Sequence, residues 1–188
     1  MIIGILAMIA ILIGLDQLFK YWAVLYLQPI GTIPLINGKF HLTYVENFGA
    51  AGGILQGKQF LLILVTSVVL AGLFILLILK KFPGRFLPWM VGLVIASGIS
   101  NLLDRIFRGF VVDYLDVCWI HYPVFNFADC CVVVGICVIA VYVLWSERKQ
   151  EKSKAEPSEG EGEWVQEKNC IFLFLRNRIA FESIVFCR

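Results

Sequence analysis

An all-α membrane protein, four transmembrane helices with a small external β-structured loop, is the fold this sequence predicts, and three observations predict it. The 188 residues are 60% hydrophobic and only 16% charged, with a mean hydropathy of +0.83, too apolar for an ordinary soluble domain. Apolar runs long enough to cross a hydrocarbon core of about 30 Å recur four times. Between the first two lies a polar, turn-rich stretch, 28–59. The net charge is +2 and the basic residues form no aromatic-interleaved patch, so nucleic acid is not an expected partner. The cysteines suggest no disulfide framework: Cys130, Cys131 and Cys137 crowd one apolar run, while Cys170 and Cys187 sit far downstream.

The first run, 2–27, lacks the basic start and small-residue cleavage site of a signal peptide, so it reads as a retained helix. Asp16, Gln17 and Lys20 interrupt it, and the i, i+4 spacing of Asp16 and Lys20 puts them on one face. A buried ion pair and a substrate-facing role are equally open for these two. In 28–59 the turn residues Pro29, Gly31, Pro34, Asn37 and Gly38 surround the strand-like runs TIPLI and KFHLTYVE. NFGAAGGIL follows, with enough small residues for close backbone approach. The second span, 60–79, is uninterrupted and carries no site. The third, 87–106, is apolar until Asn101, Asp104 and Arg105; the fourth, 124–145, is apolar except for Asn126 and Asp129 near its start. A four-helix transmembrane domain over 1–148 follows, with external loops at 28–59 and 107–123. The charged stretch beyond predicts a cytoplasmic tail, 149–188, disordered but for an interfacial apolar end.

Orientation follows from loop charge. Lys80, Lys81 and Arg85 lie between spans two and three, and Arg148, Lys149, Lys152 and Lys154 follow span four, so both termini are expected in the cytoplasm. At a rise of about 1.5 Å per residue, Asp16, Asp104 and Asp129 then lie roughly 22, 25 and 24 Å above the cytoplasmic ends of their helices. All three reach the outer half of the membrane. Asp113 and Asp116 follow in the outer connection, so polar residues converge on one outward-facing pocket.

Ionisable groups in a membrane are expensive and mark function. Asp113 and Asp129 flank one short connection, the arrangement a paired-carboxylate site needs: one ionised as general base, its neighbour holding a proton. Nothing in the spacing of His41 and His121 suggests a metal, so neither metal nor cofactor is expected. Ser97 and Ser100 have no evident base and read as small packing residues. A transporter or channel subunit with intramembrane carboxylates is the rival from another class, but it would favour repeats and broken helices, which the sequence lacks.

The order DQLFK (16–20), NFGAAGG (47–53), NLLDRIFRGFVVDYLD (101–116) and FNFAD (125–129) across four spans resembles the lipoprotein signal peptidases, the type II signal peptidases of bacteria. One departure is Gly52, where that family usually has an aromatic residue. The resemblance implies an aspartic endopeptidase of the bacterial inner membrane, needing no cofactor and working as a monomer among membrane lipids. It would cut prolipoproteins before their diacylglyceryl-modified cysteine. Carried over residue by residue, Asp113 and Asp129 become the catalytic pair, Asn47, Asn101, Arg105 and Asn126 bind substrate or orient the pair, and Asp16, Lys20 and Asp104 give structural support.

Overall fold

A computed structural model describes the backbone of residues 1–50, 55–120 and 122–155, with side chains as far as 148. Gly52, His121 and the apolar end of the tail lie outside the described residues. The chain divides into two units, Met1–Trp145 and Ser146–Arg188, and the first carries everything that follows.

Helix α1, Ile2–Trp22, runs into a π-helical turn, Ala23–Leu27. Strands β1, Thr32–Ile36, and β2, Phe40–Asn47, come next, then α2, Gln59–Ile78, and α3, Leu87–Phe107. Strand β3, Val111–Asp116, a 3-10 turn, Cys118–Ile120, and α4, Phe127–Ala155, complete the order. Among the described residues four helices are long and apolar enough to cross a membrane, as expected. Their outer surfaces expose Ile11, Leu18, Val65, Val68, Val133 and Val141, as side chains that face lipid do. The expected strands TIPLI and KFHLTYVE are β1 and β2.

Burial along α1 falls on one stripe: Ile5, Ile9, Asp16, Lys20, and then Ala23 and Leu27 of the π turn. The spacings alternate between three, four and seven residues, so all six face the same way. The stripe is apolar at both ends and charged between. Its first end packs on Leu77, Leu87, Val91, Ile95 and Ala96 of α2 and α3. Its far end, Ala23 and Leu27, packs on Val112 and Tyr114 of β3. The charged middle lies between two dry cores.

Lipid tails give apolar side chains no reason to prefer a neighbouring helix, so close packing must hold the bundle together. Gly92 of α3 lies where an added Cβ would come within 2.7 Å of the Ile5 side chain, and Gly98 where one would come within 2.6 Å of Leu70. A larger residue at either position would force the Ile5 or Leu70 side chain to shift and loosen the fit of α1 or α2 on α3.

The sheet is antiparallel with the order β1-β2-β3. Its third strand was not expected: 107–123 read as a connection, but Val111, Val112, Asp113 and Tyr114 are all buried in it. Gly109, at φ +83°, turns the chain out of α3 into β3 in a conformation that other residues adopt only with strain. The fourth span also differs from expectation. It begins at Phe127 and not at 124, because Phe125 is spent bridging Leu115, with its N–H and carbonyl both engaged there. At the other end the helical backbone of α4 continues to Ala155, through the first charged residues of the expected tail.

Candidate active site

The start of α4 fixes one of the two aspartates. A helix leaves its first N–H groups without intrahelical partners, and here side chains from three other segments meet them. The Phe127 N–H donates to the Tyr114 hydroxyl at 3.2 Å, Ala128 N–H to Asp16 Oδ1 at 2.9 Å, and Asp129 N–H to Asn126 Oδ1 at 2.9 Å. In return the Asn126 N–H donates to Asp129 Oδ2 at 3.1 Å. Asn126 and Asp129 thus form a reciprocal capping box. The pattern Asn-x-x-Asp was legible in FNFAD, and it locks the Asp129 side chain at the helix N-terminus.

The sheet fixes the other aspartate. Asn47 stands opposite Val111 and Asp113 opposite Val45, so Asn47 and Asp113 are diagonal neighbours on one face. Asn47 Nδ2 donates to Asp113 Oδ2 at 3.0 Å, and Asn126 Nδ2 donates to Asp113 Oδ1 at 2.6 Å. Asn126 therefore bonds both carboxylates, one through its amide and one through its backbone. Asp113 is pushed up to about 7, first by burial and then by the charge of Asp129; the donors Asn47 and Asn126 and the ammonium of Lys20 oppose the rise. Burial also raises the Tyr114 hydroxyl well above its ordinary range, so it stays protonated beside the helix start.

Behind the pair lies a charged cluster. Lys20 is fully buried, and its Nζ reaches Asp16 Oδ2 at 2.8 Å, Asp104 Oδ2 at 2.9 Å and Asn101 Oδ1 at 2.7 Å. An ammonium only donates, so it fixes the Asn101 amide with its oxygen toward Lys20. Asn101 Nδ2 is then turned to Asp129 Oδ1, 2.9 Å away. Asp104 Oδ2 also accepts the Val112 N–H at 3.2 Å, tying β3 to α3 one residue before Asp113. Of the two readings open for Asp16 and Lys20, the geometry is that of the buried ion pair. Arg105 faces the loop side, where its Nη2 donates to the Gly49 carbonyl at 2.9 Å and its buried Nε has no partner among the described residues.

Ser97 and Ser100 are more than the packing residues expected of them. The Ser97 hydroxyl donates to the Ala128 carbonyl, and Ser100 Oγ donates to Asp16 Oδ2 at 2.6 Å while accepting from Gln17 Nε2 at 3.0 Å. The spacing of Ser97 offered a signal, since Ser97, Asn101 and Asp104 recur at helical intervals on α3. Every sequence-predicted site residue therefore joins one connected network, with Arg105 at its edge, linked to Asn47 through Gly49 and weakly to the Asn101 carbonyl.

The family model for signal peptidase (SPase) II matches residues 8–145. A lipoprotein signal peptidase from Clostridioides difficile (strain 630) is 46% identical over 142 residues, covering 75% of this chain and 95% of that protein. Another, from Clostridium acetobutylicum, is 40% identical over 148 residues, covering 76% of this chain and 95% of that protein. A solved structure described as a bacterial membrane enzyme, determined by the in meso method at 2.3 Å resolution, superposes with a TM-score of 0.70 at 26% identity. That match covers 84% of this chain and 94% of the other. With the match running from the first helix to the end of the fourth span, the chain belongs to the signal peptidase II family.

Proposed function

We propose that this chain is an aspartic endopeptidase that removes signal peptides from diacylglyceryl-modified bacterial prolipoproteins, cutting before the lipidated cysteine, with Asp113 and Asp129 as its catalytic pair. The observation that carries the reading is the double engagement of Asn126, which bonds Asp113 at 2.6 Å and Asp129 at 3.1 Å and so brings a buried carboxylate and a half-buried one to one point. Asp113 at about 7 holds the shared proton near neutral pH, and Asp129 is the ionised base. Asp129 takes a proton from the attacking water while Asp113 protonates the scissile carbonyl oxygen. The proton gained by Asp129 then passes to the leaving amine. Asn47, Asn101 and Asn126 orient the pair, Arg105 meets the substrate backbone, and Asp16, Lys20 and Asp104 support them. A transporter path would distribute carboxylates along the bundle, whereas these gather at one end.

The same reading assigns 1–148 to the peptidase domain and 149–188 to a cytoplasmic tail. The protein works as a monomer in the cytoplasmic membrane of a bacterium, both termini inside, with the sheet and the aspartates toward the outer face. Lys80, Lys81 and Arg85, which join α2 to α3 at the end remote from the sheet, support that orientation. The test is purified full-length protein in detergent with a prolipoprotein precursor. The diacylglyceryl-modified precursor is expected to give a shortened product and the unmodified one none. Failure to cut the modified precursor would remove the assignment.

A pH profile tests the proton assignment. As the pair loses its shared proton, kcat/KM is expected to fall above about pH 7. Stability follows the same group. Asp113 sits above its ordinary 3.8, so the folded state holds this proton more tightly than the unfolded chain does. Its contribution is present below 3.8 and lost as pH rises through about 7. Asp113→Asn removes that dependence, so its Tm relative to the native protein is expected to be higher at about pH 8 than at about pH 5. A Tm difference that does not change with pH would show that Asp113 is ionised throughout.

A further inference from the structure

We propose that His41, Asp116 and Cys118 form a binding site for a zinc-class divalent cation on the sheet, separate from the aspartate pair. The three come from β2, the end of β3 and the turn after it, so no local spacing announced them. His41 and Asp116 are cross-strand partners in the β2–β3 register. One potential ligand atom from each of the three lies within 4.8 Å of the others. Zinc accepts this mixture of imidazole nitrogen, carboxylate oxygen and thiolate sulfur, whereas calcium and magnesium favour oxygen alone. Bonds of about 2.0–2.3 Å in a tetrahedron space the ligands by roughly 3.3–3.8 Å, so side-chain rotation of about an ångström closes the site.

Two further observations point the same way. His41 Nε2 is buried and has no hydrogen-bond partner among the described residues, which leaves a lone pair or an N–H unused beside a carboxylate and a thiol. Asp116 is already oriented from behind, for Thr43 Oγ1 donates to its Oδ2 at 2.8 Å. Such an outer partner is what a metal-binding carboxylate has. The turn is itself anchored, by the Cys118 N–H donating to the Lys39 carbonyl at 3.0 Å. Binding releases the Cys118 proton, and thiolate plus carboxylate balance the two charges of the ion. The ion clips β2 to the far end of β3, three residues from Asp113. Its role is to hold the strand that presents that residue.

The experiment is a Co²⁺ titration of full-length protein in detergent after treatment with a chelator, followed by its thiolate-to-cobalt charge-transfer band, with Zn²⁺ competing. One equivalent is expected to produce the band and an excess of Zn²⁺ to abolish it. Cys118→Ser and His41→Ala are expected to lose it, and Cys170→Ser with Cys187→Ser to keep it. Thr43→Ala retains all three ligands and is expected to bind about tenfold more weakly. It keeps the test decisive should either ligand variant misfold, which gel filtration in metal-free buffer reads. Zn²⁺ is expected to raise the Tm of the native protein. No thiolate band, a band surviving in folded Cys118→Ser, or unchanged affinity in Thr43→Ala would overturn the site.

Discussion

Asp113→Asn and Asp129→Asn are each expected to abolish cleavage, with a fall in kcat of roughly 10²–10⁴-fold. An amide can neither take the water's proton nor deliver one to the carbonyl oxygen or the leaving amine. Neither change is expected to unfold the protein. At Asp113 the amide replaces a buried carboxylate of similar shape, and its carbonyl still accepts from Asn47 or Asn126. At Asp129 the carbonyl still accepts from the Asn126 N–H and preserves half of the capping box. The double variant is expected to be hardly slower than either single one, because groups that act as a unit are not additive. Initial rates on a lipidated precursor, with thermal unfolding of each variant in detergent, check this. A folded single variant within tenfold of the native rate would eliminate the pair.

Lys20→Met is expected to be the most destabilising single change in the buried cluster. It removes the ammonium that Asp16 and Asp104 share while leaving both carboxylates 1% exposed. Removing one partner of a buried ion pair costs about 3–5 kcal/mol, because the remaining charge has neither water nor counter-ion. Asp104 keeps Arg108 Nε at 3.3 Å, so Asp16 carries more of the loss. Activity is expected to fall as well. Without Lys20 the Asn101 oxygen keeps only the 3.2 Å bond from Asn126 Nδ2 among the described residues, and a flipped amide would set two acceptors against each other. Adding Asp16→Asn to Lys20→Met is expected to recover part of the Tm. If the single variant unfolds at the native temperature, the cluster is not holding the helices as described.

The sequence by itself determined the elements whose cause is local. Four spans follow from apolar runs of the right length, and β1 and β2 from strand-like residues between turn formers. The convergence of Asp16, Asp104 and Asp129 followed from counting turns, since helical rise is the same wherever the helix sits. Even the capping of α4 lay in the four residues from Asn126 to Asp129. Only the tertiary structure decided the rest. Val111–Asp116 is a strand because β2 offers it an edge and the π turn a surface for Val112 and Tyr114, none of which its own residues encode. Ser100 becomes polar support because Asp16, 84 residues away in sequence, faces it across the α1–α3 contact. Asp113 meets Asn47 across 66 residues and Asn126 across 13. Buried polar groups take whichever partner the fold delivers, since leaving one unpaired in a dry interior costs more than the choice of partner. Pairings of that kind carry no periodicity, so they become legible only when the chain is folded.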